Sequence, residues 1–149
     1  MTELAVGIDI GGTGIKGALF DTRRGVLASD RVKVPTPDGG DPDAVLAAVA
    51  QMVAGFGDAA AQVPVGVCFP AIVRHGRTMS AANVSKRWIG LEAEALFERT
   101  LGRDIHFVND ADAAGHHVMP DAAILVAGNA EIARLGRSQR DDLLVAGVD

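Results

Sequence analysis

Apolar positions in the first 34 residues come in short runs, LAVGIDI, IKGALFD and VLASDRVKV, separated by GGTG and DTRRG. Runs of this length between glycine-bearing links predict three consecutive strands, and links so short suit antiparallel hairpins. The segment PTPDGGDPD (35–43) breaks the pattern with three prolines and two glycines and reads as a surface loop. Asp41 is then placed as an N-cap with Pro42 at the first helical position, followed by Val45, Val49, Met52, Val53 and Phe56 at helical spacing. Gly55 and Gly57 mark the end of that helix.

VPVGVCF (63–69) is a short apolar run bounded by prolines and predicts a buried strand. The stretch from there through Gly90 is polar and irregular. Ile89, Ala93, Leu96, Phe97 and Leu101 share one helical face, and Gly102 closes that second helix. DIHFVND (104–110) predicts another strand, with a helix opening straight after it in ADAAGHHVM (111–119). The order β-β-β-α-β-α-β-α describes an α/β domain, a mixed sheet with packed helices. Beyond it, 122–128 and 143–149 read as strands and 129–138 as a helix.

Composition narrows the function classes. With 48% hydrophobic and 22% charged residues over 149 positions, the chain can bury one ordinary core. No apolar run approaches a bilayer span, and Asp9 interrupts the first apolar stretch, so neither membrane nor secretory signal is expected and the cytoplasm is the expected location. The single cysteine, Cys68, can form neither an internal disulfide nor a cysteine metal cluster, and its apolar run makes it a buried small hydrophobe. A net charge of −5 argues against a nucleic-acid partner, so any polyanion must be held by a local patch.

The candidate chemistry begins at GIDIGGTGIKG (7–17). Gly12, Gly14 and Gly17 match the spacing of the dinucleotide fingerprint, but that mechanism needs a helix to start at the glycines, and IKGALFD alternates as a strand. No Gly-Lys-Ser/Thr sequence follows, so the Walker loop fails too. What remains is a strand-turn-strand phosphate site in which glycines supply positive φ and close N–H groups, Thr13 a hydroxyl and Lys16 a charge. Asp9 beside phosphates would be repulsive without a cation, which points to Mg2+ held through water. The bland alternative is a glycine hairpin whose Asp caps the turn. In VNDADAAG (108–115) a strand delivers Asn109 and Asp110 to its C-terminal edge, where Asp110 could accept a hydroxyl proton or merely cap a helix; Asp112 is the fallback.

DIGGTGIKG, SAANVSKRWIG and VNDADAAG, in this order and spacing, resemble the ROK family of sugar kinases, and within it the polyphosphate glucokinases. The resemblance implies an actin-like (ribonuclease H-like) lobe that moves a phosphoryl group from polyphosphate or ATP to the 6-hydroxyl of glucose or a similar hexose. It implies Asp110 as general base, Asn83, Asn109 and Asp110 on the sugar, Asp9 assisting Mg2+, and Gly11, Gly12, Thr13, Gly14 and Lys16 on the phosphate. From position alone Asn83 is a turn residue. Lys86 and Arg87 could form the local patch for a polyphosphate chain, although two adjacent basic residues are commonly just solvated.

The likeness has limits. Ala71 stands in FPAIV where the family has a glycine, and after Gly115 the pattern fades: LVAGNA keeps one glycine and no threonine of a second phosphate loop. The family's zinc cluster cannot be built from one cysteine, and His116 and His117, being adjacent, chelate poorly, so no zinc is expected. These departures lead to an expected kinase-like lobe over 1–118 with a divergent tail over 119–149, as from a truncated or frameshifted gene. Such a chain would have little or no activity and could survive as a sugar- or phosphate-binding remnant, with an exposed lobe face able to drive a homodimer. A sugar-responsive repressor is set aside, because six residues before Gly7 leave no room for a DNA-binding motif.

Overall fold

The computed structural model describes residues 3–24 and 26–109. Strand β1 (Leu4–Ile10) turns through the glycines into β2 (Gly14–Asp21), an antiparallel hairpin in register from Leu4 opposite Asp21 to Ile10 opposite Ile15. The third strand expected from VLASDRVKV is instead two short pieces, β3 (Val26–Leu27) and β4 (Val32–Pro35), both on the outer edge of β2. Register slips by two residues between the pair Gly17–Val32 and the pair Phe20–Leu27. Ser29 is the cause: its Oγ accepts the Leu19 N–H at 2.9 Å, replacing a ladder bond with a side-chain bond.

Helix α1 (Pro42–Gly55) starts and stops where the sequence places it, with Asp41 at the N-cap position and Phe56 as its partly buried C-cap residue. It leads to β5 (Val65–Phe69), which lies parallel to β1 with Val6 opposite Val65 and Asp9 opposite Cys68. The stretch read as irregular holds a small hairpin, β6 (Val73–Arg74) and β7 (Arg77–Thr78). Its turn residues His75 and Gly76 have φ of 51° and 79°, the left-handed pair of a primed hairpin turn. A one-turn helix at Lys86–Trp88 follows, then α2 (Ala93–Leu101) and β8 (Ile105–Asn109), parallel to β5. Ile89, expected on the face of α2, lies before the helix in extended backbone and is 51% exposed. Gly102 caps α2 in the left-handed region as expected, its N–H reaching the Glu98 carbonyl at 2.8 Å.

The main sheet runs β3-β2-β1-β5-β8, with β4 also on β2. One core joins Ile8, Ile10, Ile15, Val67 and Phe69 of the sheet to Val45, Val49 and Met52 of α1 and Phe97 of α2. Trp88, fully buried, sits 4.6 Å from Phe69 and 6.0 Å from Phe97 between ring centroids, so the segment after β7 is sealed into the same core. Cys68 is buried, as its apolar run implies. Among the described residues no helix is long and apolar enough to cross a membrane. The helix expected at 111–119, the elements expected at 122–128, 129–138 and 143–149, and the domain boundary at 118 lie outside the described residues.

Candidate functional site

Strands β1, β5 and β8 are parallel, so their C-terminal ends share one edge of the sheet, and that edge brings Asp9, Phe69 and Asn109 to the same side. The glycine turn between β1 and β2 projects from it. The Gly11 N–H donates to the Gly14 carbonyl at 2.9 Å and closes the turn. Thr36 then ties the turn to the segment after β4. Its hydroxyl donates to the Gly11 carbonyl at 2.6 Å and its N–H to the Thr13 carbonyl at 3.1 Å. Sequence alone does not single out Thr36, whose one local signal is its position between two prolines.

The glycines are needed for space and not, as expected, for positive φ. None of Gly11, Gly12, Gly14 and Gly17 adopts the left-handed region. A methyl group on Gly12 would lie 2.6 Å from Asn83 Cβ and 2.9 Å from the Asn83 carbonyl oxygen, and one on Gly17 would lie 2.6 Å from Met52 Sδ. The approach of Gly12 to Asn83 joins two motifs that are 71 positions apart in the chain.

The Asn83 segment is held by its far end. Buried Gly40, at φ 58°, presents its carbonyl to Trp88 Nε1 at 2.8 Å and to the Ser85 N–H at 3.4 Å. A side chain at Gly40 would meet Val84 Cα at 3.0 Å. Asp41, expected to cap α1 with its side chain, makes no such bond; its carboxylate accepts instead from Arg87 Nη1 at 2.6 Å, while its carbonyl receives the first helical N–H, from Val45. Arg87 thus forms an exposed ion pair with Asp41. Lys86 and Asn83 are exposed.

Asp9 lies directly opposite Lys16 across the β1–β2 ladder, so the two side chains share a face of the sheet. Asn109 ends β8 and its Nδ2 donates to the Ala71 carbonyl, fastening the loop after β5. Ala71 is itself buried in the core, so the methyl group where the resemblance implies glycine packs inward. Asp110, Asp112, His116 and His117 lie outside the described residues. Among the described residues no three His, Cys, Asp or Glu side chains cluster to hold a metal ion.

Residues 5–121 match the profile of the ROK family. Over 110 residues the chain is 46% identical to a polyphosphate glucokinase of Mycobacterium tuberculosis, a match that takes in 73% of this chain and 40% of the relative. The solved structure of an inorganic polyphosphate/ATP-glucomannokinase from Arthrobacter sp. strain KM superposes with a TM-score of 0.72 at 47% identity, over 76% of this chain and 46% of that one. A ROK family glucokinase from Streptomyces griseus, solved with glucose and AMPPNP, gives a TM-score of 0.63 at 30% identity, over 76% of this chain and 35% of that one. The chain therefore spans less than half the length of each of these proteins.

Proposed function

The chain belongs to the ROK family and carries the α/β, actin-like fold of its sugar kinases, and from that premise we propose that it supplies the sugar side and the first phosphate loop of a glucose phosphotransferase. The donor is polyphosphate or ATP and the acceptor is the 6-hydroxyl of glucose; in support, the Mycobacterium relative is named a polyphosphate glucokinase and the Arthrobacter one an inorganic polyphosphate/ATP-glucomannokinase. The observation that carries this reading is the close packing of Gly12 on Asn83, since a phosphoryl transfer needs donor loop and sugar segment side by side.

In this reading the N–H groups of Gly12 and Gly14, the Thr13 hydroxyl and the Lys16 ammonium receive the transferred phosphoryl group, while Gly11 shapes the turn through its own N–H bond to the Gly14 carbonyl. Asn83, Asn109 and Asp110 take the sugar hydroxyls. Asn109 is suited to this because its bond to Ala71 fixes the end of β8, and Asp110 follows it directly. Asp110 accepts the 6-hydroxyl proton while that oxygen bonds to phosphorus and the bond from phosphorus to the leaving phosphate oxygen breaks. In a loose transition state orientation counts for more than base strength, so an ordinary carboxylate suffices. Mg2+ fits a site with a single carboxylate, because it keeps most of its waters and takes its remaining oxygens from phosphates. Asp9, beside Lys16 at the strand end, would hold it through water; bound there, it would neutralise donor charge.

The test is titration calorimetry of the chain with glucose, alongside a coupled assay for glucose 6-phosphate with Mg2+ and either donor. Glucose binding that Asn83→Ala and Asp110→Ala each weaken at least about tenfold is the expected result. Unchanged binding in both variants would sink the assignment of the sugar side.

A further inference from the structure

The ladder that sets Lys16 opposite Asp9 on one side sets it opposite Lys33 on the other. Directly paired residues on antiparallel neighbours share a face, so Asp9, Lys16 and Lys33 form one row across three strands. One carboxylate stands against two ammonium groups in that row, and like charges directly opposed repel unless an anion lies between or above them. Lys33 is exposed and is free to meet one.

A second, independent feature fixes where Lys33 goes. A methyl group built on Gly14 would lie 2.9 Å from Lys33 Cε and 3.9 Å from Lys33 Cγ. The stem of Lys33 therefore lies over Gly14, leaning from the outer strand toward the glycine turn, in space that a side chain at position 14 would fill. Strand β4 is clamped to that turn as well, by the pairing of Pro35 with Gly14 and by the two bonds from Thr36.

We propose that Lys33 is a donor-binding residue: its ammonium group holds the phosphate next to the one taken by the glycine turn and Lys16. This rests on the reading of that turn as the donor site. The ligand chemistry is a linear phosphoanhydride chain, which either inorganic polyphosphate or a nucleoside triphosphate presents. Lys33 adds affinity for the chain without touching the sugar.

Lys33→Met keeps the stem over Gly14 and removes only the charge. Calorimetric titration with Mg2+ and inorganic tripolyphosphate, and separately with Mg2+ and AMPPNP, compares the parent with Lys33→Met, Lys33→Arg and Lys16→Met. Lys33→Met is expected to bind about tenfold more weakly with a shallower salt dependence, and Lys33→Arg to stay near the parent. Loss confined to tripolyphosphate assigns the residue to inorganic polyphosphate, loss confined to AMPPNP to a nucleotide, and either supports the role. Parent-like binding by Lys33→Met, with Lys16→Met impaired, overturns the role of Lys33 and leaves the donor turn standing. Equal loss in Lys33→Met and Lys33→Arg overturns it too, since charge would not be the cause. A parent that binds neither compound overturns the donor turn together with Lys33.

Discussion

At the scale of single residues, the glycines of this chain divide by what surrounds the absent side chain. At Gly12 the obstacles are Asn83 Cβ and the Asn83 carbonyl oxygen, 2.6 and 2.9 Å from where a methyl group would stand, and a backbone oxygen cannot rotate away as a side-chain tip can. The Asn83 segment cannot retreat cheaply either, because Trp88, Ser85 and Arg87 pin it to Gly40 and Asp41. Gly55, the last residue of α1, has nothing within 4 Å and no positive φ. Gly12→Ala should therefore cost about 1–3 kcal/mol through overpacking and reduce glucose binding. Gly55→Ala should add about 0.4–1 kcal/mol by restricting the unfolded chain. Thermal melts of the two variants test this by sign, and a Gly12→Ala protein as stable as the parent would mean that the two motifs do not touch.

At the scale of elements, the sequence displayed those whose periodicity runs long enough to read. The β1–β2 hairpin and α1 were legible because seven or more residues kept one pattern. The β6–β7 hairpin was not, since two-residue strands show no alternation, and the break between β3 and β4 depends on a single hydroxyl, Ser29, replacing a backbone partner. Motif content in the site was legible, but the reason for its glycines was not, because close approach to Asn83 or Met52 is set by tertiary packing. Helix α2 carries a further cost that a hydrophobic pattern cannot reveal. Burial first, and then Glu98, raise the Glu94 pKa; burial first, then the charge of Asp104 and a side-chain hydrogen bond to it, raise that of Glu98. Carboxyls raised in the folded state favour it fully below their unfolded pKa and lose that contribution as pH climbs through the raised value. Both acids consequently oppose folding at neutral pH, and Glu98 also sits in the last helical turn, at the negative end of the dipole. Glu98→Gln should raise stability at pH 7 by about a few tenths of a kcal/mol, small because solvent screens the charge. The gain should shrink as pH falls toward the ordinary carboxyl value of 4.5. Melting temperatures across that range check it, and a gain that grows on acidification would contradict the sign.

For the molecule as a whole, the decisive arrangement is that the sugar segment and the core are one piece of structure. Trp88 belongs to the segment that meets the glycine turn, yet its ring is packed among Phe69 of β5 and Phe97 of α2, and both phenylalanines lie within 5.6 Å of Phe107 of β8 between centroids. Its indole N–H bonds the Gly40 carbonyl just ahead of α1. Strand β5, helix α2 and the segment ahead of α1 thus meet on one side chain, with β8 packed against the two phenylalanines, and local opening of the segment would have to unseat a fully buried Trp, one of the more expensive side chains to expose. The chain has one Trp and no Tyr, so its fluorescence reports this position alone. Denaturation followed by Trp emission and by far-UV circular dichroism should give coincident midpoints, the mark of a single cooperative unit. Trp88→Phe keeps much of the ring contact but leaves the Gly40 carbonyl without its indole donor, and should lower stability by about 1–3 kcal/mol in the dichroism curve. If emission instead changed well before the dichroism, the segment would open apart from the sheet, and the surface offered to the sugar would be assembled only when ligand arrives.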